Sequence, residues 1–453
     1  MGKLFFLVAA IVFFWGILQS SGVKRLIWFF TGILFFSDRI MIIEFPTKMS
    51  FDRLLIYSLM FSEIVKSGKL IPKIKYYPLV SSMIIFLVGV LTIGVFDERI
   101  GLVLKIYRPL DYFVQTIFVS LLCYINITKT QDWEKLVKFL LVSSLIMGIY
   151  GIFNFFTLSN PLDHLITTLY RSVSPFDDYA QGSGRFRINS FVSHPIYYGY
   201  LCGIFSLLAF YSFFYLKQLK QLSIVVMLLA TTNLILANSR TPLLAFAIGL
   251  IIFILLAFRT LAKIKMLIAI GFICCVIYNI PIIHESVENT VDAFRVNGGN
   301  TSGSSLNMRT LQLQASYNEF LKNPIFGNGL YYIEEDLGWA STEQERTSDP
   351  DFEGFESYFY QLLIEQGSVG IFVTLIFIAS IISYLFKKRV VDKQISAFGF
   401  SILCMFLVFS MGTGTLHSWI ISMGLIGICS KYLELKQHET NVPLLQPMDA
   451  GIK

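Results

Sequence analysis

Apolar residues in this chain come in runs of roughly 20, parted by short polar stretches, and not in two-residue alternation or one-sided stripes. A run of that length crosses a hydrocarbon core of about 30 Å as an α-helix. The runs fall at residues 4–20, 25–43, 51–65, 77–96, 104–125, 133–156, 192–215, 222–237, 241–258, 264–281, 357–386, 395–410 and 413–431. The first two are either separate spans or one broken element. The pattern therefore predicts an all-α, polytopic integral membrane bundle of about 12–13 transmembrane helices, without internal repeats.

The polar stretches between the runs set the orientation. Lys66, Lys69, Lys73 and Lys75 share one short loop, and Lys217 and Lys220 another. Arg259, Lys263 and Lys265 form a third basic loop, and Lys387, Lys388, Arg389 and Lys393 a fourth. Alternation of the spans puts all four on one side with the tail that starts at Lys431, and the excess of positive charge makes that side cytoplasmic. The other side receives a loop at 157–191, a tiny turn at Asn238–Arg240 and a long loop at 282–355. The long loop holds twelve acidic residues against four basic ones (Arg295, Arg309, Lys322 and Arg346). The expected organisation is an N-terminal transmembrane bundle over 1–281, the extracytoplasmic loop at 282–355, C-terminal transmembrane helices over 356–432 and a cytoplasmic tail at 433–453.

Composition agrees with this reading. Residues are 55% hydrophobic and 15% charged, where soluble domains carry nearer a quarter charged. The net charge of +6 resides in short inter-span loops and does not indicate nucleic acid. Cys123, Cys202, Cys274, Cys275, Cys404 and Cys429 all lie inside apolar runs with no metal-ligand spacing, which argues against disulfides and structural zinc. The first run, Leu4 to Leu18, has no small-residue cleavage site and reads as a retained helix.

Against that topology, Arg240 in "LILANSRTPLLAFAIG" stands on the face where topogenic cations are scarce. One reading is a snorkelling arginine bonded to lipid phosphate or helix-end carbonyls. The other is a ligand-binding cation. In the long loop, "SSLNMRTLQLQASYNEFLKNP" predicts a short amphipathic helix along the membrane surface, capped by Ser304 or Ser305 and stopped by Asn323-Pro324. Leu306, Leu313, Tyr317, Phe320 and Leu321 fall near one face, and Arg309, Gln312, Ser316 and Glu319 on the opposite one. The same helix could instead pack on the bundle mouth with Arg309 solvated. "GSGRFRINSFVSHP" adds Arg185, Arg187 and His194 on the same side. Clustered guanidinium groups bind phosphate bidentately, so a pyrophosphate at the membrane surface is a plausible ligand. Glu356, in "FESYFYQLLIEQGSVGIF", is either an acid stabilised by a helix N-terminus beside Ser357 or a general base for a sugar hydroxyl.

In this order the elements resemble the bacterial O-antigen polymerase/ligase superfamily, the Wzy-type polysaccharide polymerases and their relatives. "GRFRINSFVSHPIYYGYL" resembles the family's R-x-x-G-x-F-x-x-P segment, with Asn189-Ser190 where glycine is usual. "NSRTPLLAF", with Ser239 and Arg240, is similar to its Ser-Arg turn. "RTLQLQASYNEFLKNPIFGNGL" is similar to its arginine helix followed by N-P-x-x-G-x-G. "ESYFYQLLIEQGSVG" resembles its closing segment with the Glu365-x-Gly367 pair. The likeness covers Gly182 to Gly370.

What the resemblance implies is a metal-independent glycosyltransferase without cofactors, acting at the outer face of the bacterial cytoplasmic membrane. Its substrates would be undecaprenyl-pyrophosphate-linked oligosaccharides among membrane lipids, with a chain-length regulator as a further partner. Arg240 and Arg309 would hold the pyrophosphate and stabilise its developing charge. Glu356 would activate the attacking hydroxyl, with Ser357 beside it, while Arg185, Arg187 and His194 help hold phosphate or sugar. The long loop would close over the saccharide as a lid. Tyr331, Tyr332 and Trp339 are candidates for stacking on sugar, or else form the loop's own small core. Ligases of the family carry His-Asn where this chain has Glu356-Ser357, a pair common in polymerases, so the expectation is a polymerase, with ligase as the alternative. A flippase would show internal repeats and polar groups near the midplane, and a scaffold would need none of these arginines.

Overall fold

The computed structural model of this chain describes residues 2–37, 39–43, 49–67, 74–170, 186–278, 306–337, 357–413 and 417–441. Helices dominate. In chain order they are α1 (Gly2–Gln19), α2 (Val23–Phe35), α3 (Phe51–Ser67), α4 (Val80–Phe96), α5 (Leu102–Phe113), α6 (Val119–Ile125), α7 (Thr130–Thr157), α8 (Pro161–Tyr170) and α9 (Pro195–Tyr215). They continue as α10 (Lys220–Leu236), α11 (Arg240–Ala257), α12 (Thr260–Tyr278), α13 (Leu306–Lys322), α14 (Tyr332–Glu335), α15 (Tyr358–Lys388), α16 (Lys393–Gly412) and α17 (His417–Asn441). A two-stranded antiparallel hairpin, Met41–Ile43 with Met49–Ser50, links α2 to α3. The chain is an all-α polytopic membrane protein.

Among the described residues, seven helices are long and apolar enough to cross a membrane. Other passes are shorter or interrupted. The α4 helix has 17 residues, and the run at 102–125 is broken by Pro109 and a π-helical turn over Val114–Phe118. Proline removes one helical hydrogen bond and crowds the preceding turn, which displaces the ladder. The α9 helix forms the central pillar, with every residue from Pro195 to Ala209 buried. That explains why it is apolar on all sides. The α17 helix runs on to Asn441.

Contacts between helix ends sort the loops onto two faces. Tyr124 donates to the Tyr76 carbonyl at 3.1 Å, and Lys431 stands 4.6 Å over the Tyr124 ring. Lys393 donates to the Phe258 carbonyl at 3.2 Å and Arg389 to that of Leu256 at 3.4 Å. These contacts gather the basic turns and the end of α17 at one end of the bundle. Lys69 and Lys73 lie outside the described residues. The opposite end collects the 186–194 segment, the Asn238–Arg240 turn, the turn between α4 and α5, and α13.

The α13 helix forms where "SSLNMRTLQLQASYNEFLKNP" predicts it, and its polar face is the buried one. Gln312 is 3% and Ser316 0% exposed, whereas Leu313, Tyr317 and Leu321 are 46–54% exposed. Outside a membrane bundle the solvent is hydrocarbon, so apolar side chains lose nothing by facing out. The polar groups gain partners by facing in.

Candidate functional site

The Ser-Arg turn is built on backbone geometry that few residues accept. Asn238 has φ +48°, a left-handed conformation to which asparagine adapts better than most non-glycine residues. Ser239 follows as the N-cap, buried but with no side-chain cap bond, and Arg240 is the first residue of α11. Arg187 fixes the turn from outside, donating Nε at 3.0 Å and Nη2 at 2.7 Å to the Asn238 carbonyl. Two charge-assisted bonds to one oxygen hold the turn at the mouth of the bundle.

The segment that carries Arg187 is itself welded in place. Asn160 donates Nδ2 to Asn189 Oδ1 at 2.6 Å and to the Ser190 carbonyl at 2.7 Å. Ser190, at φ +51°, donates its hydroxyl to the Met147 carbonyl at 2.8 Å. The Asn189 carboxamide and the Ser190 hydroxyl thus bond the surrounding chain. His194 caps α9, its Nδ1 accepting from Ile196 N at 3.2 Å, with Pro195 at the first helical position. That is a structural task, and it uses one of the ring nitrogens.

The opposite wall is made by α13 and a break in α15. Gly367 has φ +58° and ψ −156°, which splits α15 into two helices. The Asn323–Gly329 segment docks on this break. Asn328 N donates to the Ile364 carbonyl at 2.9 Å and Gly329 N to that of Glu365 at 3.0 Å. In return, Ser368 N donates to the Pro324 carbonyl at 2.9 Å and Val369 N to that of Ile325 at 3.0 Å. The N-P-x-x-G-x-G pattern therefore supplies a strand-like patch that satisfies backbone groups freed by the break. The Glu365 carboxylate, buried, accepts from Ile333 N and Gln361 Nε2, each at 3.3 Å, and ties α14 to the same place.

Tyr331 and Tyr332 sit on arginines that sequence reasoning did not single out. Arg108 binds Glu335 with both terminal nitrogens, at 2.8 and 2.6 Å, and stacks 5.5 Å over Tyr331. Arg99 pairs with Asp97 at 2.9 Å and with Asp336, and lies 5.1 Å over Tyr332. Burial pushes the Tyr331 phenol up, so it stays protonated and donates to Asp111 at 3.4 Å. Tyr332 donates to Glu319 at 2.9 Å. Both rings are half-buried, Tyr331 against the main core and Tyr332 against Ile333 and Ile364. The signal for Arg99 and Arg108 was present, since both stand on the face opposite the basic loops, but their partners are more than 200 residues away.

Packing joins the two walls. A Cβ on Gly412 would fall 2.6 Å from Thr241 Oγ1, so α16 ends against the first turn of α11. Trp419, shortly beyond, packs 5.4 Å from Tyr358, whose hydroxyl bonds that of Tyr112. Ser357, buried, is the N-cap of α15. Arg187, Ser239, Arg240, Ser357 and the arginine helix thus share one end of the bundle. Arg185, Trp339 and Glu356 lie outside the described residues, as does the side chain of Arg309.

Residues 225–375 match a family model described as O-antigen ligase. No curated protein matches the chain. The matched stretch begins in α10 and contains the Ser-Arg turn, the arginine helix and the break at Gly367.

Proposed function

We propose that this chain, which carries a domain of the O-antigen polymerase/ligase superfamily at residues 225–375, is a surface-polysaccharide polymerase. A glycan-transferring membrane enzyme of this superfamily takes lipid-linked glycans as substrates. In the finer reading, a growing chain leaves undecaprenyl pyrophosphate and joins the terminal sugar of a new lipid-linked repeat unit. The reaction takes place at the outer face of the cytoplasmic membrane.

In the transfer step the acceptor hydroxyl oxygen bonds to the anomeric carbon of the donor. The bond from that carbon to the pyrophosphate oxygen breaks, and the electron pair leaves with the pyrophosphate. Glu356 takes the hydroxyl proton. Arg240 and Arg309 balance the charge gathering on the leaving group, where fixed cations act most strongly. The observation that carries this reading is the Arg187 brace on the Asn238 carbonyl, which presents Arg240 at a helix start inside the matched domain. A pyrophosphate suits that position because helix N-termini and guanidinium groups favour anions.

Ligase is the second reading, favoured by the description of the family model. Glu356-Ser357 in place of His-Asn favours polymerase. Deleting the gene separates them. A polymerase predicts loss of the long-chain ladder with single repeats still attached, a ligase predicts long chains stranded on the carrier lipid, and a flippase predicts repeat units held on the cytoplasmic leaflet. Arg240→Ala, Arg309→Ala and Glu356→Gln are each expected to abolish chain extension at an unchanged protein level. Full activity in any one removes that residue from the mechanism.

A further inference from the structure

The polar end of α3 meets the π-helical turn that follows α5, and neither belongs to the arginine site above. Asp111 lies at the floor, 2% exposed. Its Oδ1 accepts from Tyr57 at 2.6 Å, while Oδ2 accepts from Tyr331 at 3.4 Å and pairs with Arg53 at 3.6 Å. A carboxylate offers about four acceptor positions, so one is left over. Gln115, in the π turn and also 2% exposed, accepts from Arg53 Nε at 3.3 Å. Its Nε2 is buried and has no hydrogen-bond partner among the described residues. Arg53, Tyr57 and Tyr331 are only half-buried and form the rim.

A buried amide donor without a partner is destabilising, and π turns occur often at functional sites. Both features mark a place kept for a ligand. Charge decides which kind. Asp52 stands close enough to act on the same guanidinium as Asp111, and Arg108, stacked over Tyr331, is itself paired with Glu335, so carboxylates outnumber cations and the cluster disfavours phosphate. A carboxylate acceptor, an amide donor and tyrosine rings are the equipment for sugar hydroxyls and sugar faces. Asp111 also neighbours Tyr112, whose hydroxyl bonds Tyr358 next to Ser357 and Glu356.

We propose that Arg53, Tyr57, Asp111, Gln115 and Tyr331 form a subsite for a neutral sugar of the acceptor glycan, an inference that rests on the glycan-transfer reading above. The donor's pyrophosphate is held by the arginines, and the acceptor is held here, at the end of α5 that Tyr112 joins to the start of α15.

Gln115→Glu tests this, because it keeps an acceptor for Arg53 Nε and replaces the spare donor with a carboxylate oxygen that can only accept. The full chain in lipid nanodiscs is titrated with the repeat-unit oligosaccharide of the host's own surface glycan, freed of lipid and pyrophosphate, and binding is read by saturation-transfer NMR. The unmodified protein binds the oligosaccharide, inorganic pyrophosphate does not displace it, and Gln115→Glu weakens binding at least ten-fold. In the transfer assay the same variant raises KM for the lipid-linked acceptor at least ten-fold with kcat within two-fold. Tyr331→Phe, which keeps the ring and loses the hydroxyl, weakens oligosaccharide binding in the same direction. Binding and KM within two-fold of the unmodified protein in Gln115→Glu, or displacement by pyrophosphate, overturns the subsite. Absence of glycan transfer by the unmodified protein would sink the enzymatic reading instead, and the oligosaccharide titration would still decide the subsite.

Discussion

Arg187 commits two of its five guanidinium donors to one carbonyl, that of Asn238. In the proposed mechanism it is a positioning residue whose effect passes through the turn to Arg240. Hydrogen bonds from charged groups are worth about 1.5–3 kcal/mol, or roughly ten- to hundred-fold in a rate. Lysine presents one point charge and cannot span both bonds. Arg187→Lys is therefore expected to lower glycan transfer by about ten- to hundred-fold, nearly as far as Arg187→Ala, with normal amounts of protein in the membrane. Full activity in the lysine variant would show that the brace does not set the position of Arg240. The Ser-Arg turn was legible because a cation on the face opposite the basic loops stands out. The role of Arg187 was not, because its bond spans 51 positions of the chain and no local pattern reports it. His194 was read as a ligand group, whereas its position before Pro195 is also that of a helix cap.

The break in α15 shows what hydropathy cannot resolve at the level of an element. Residues 357–386 read as one apolar span, and a single glycine in such a run is ordinarily tolerated. Only the structure shows that Gly367 occupies a conformation confined to glycine, with Asn323–Gly329 docked against it. A Cβ there would lie 2.5 Å from Gly327 N and 2.8 Å from the Ile325 oxygen. Strain of this kind costs about 1–3 kcal/mol before the clash is counted. Gly367→Ala is expected to lower the melting temperature in detergent and to expose the 323–337 segment to limited proteolysis. Gly101→Ala, with nothing within 4 Å of its added carbon, is expected to match the unmodified protein in both assays. Equal melting and proteolysis for Gly367→Ala would contradict the docking. The α13 helix was legible from its 3.6-residue stripe, yet the facing of the stripe was not. Periodicity reports two chemically different faces and leaves open which one meets the protein.

For the whole molecule, the charge pattern of the loops told most. The basic loops and the last helix gather at one end, and the Ser-Arg turn, the 186–194 segment and the arginine helix at the other, as alternation of the spans requires. Span positions were legible because a run of about 20 apolar residues has few other uses. The Arg53–Asp111 and Arg99–Asp336 pairings were hidden, since each joins segments far apart in sequence. The account depends on Arg240 and Arg309 meeting at one diphosphate at the mouth opposite the basic loops. Its most direct test is the affinity of the nanodisc-embedded protein for undecaprenyl pyrophosphate and for undecaprenyl monophosphate, compared with Arg240→Ala and Arg309→Ala. The account predicts that the pyrophosphate binds tighter than the monophosphate, and that each substitution lowers pyrophosphate affinity at least ten-fold and erases that preference. Unchanged affinity and preference in either variant would contradict it.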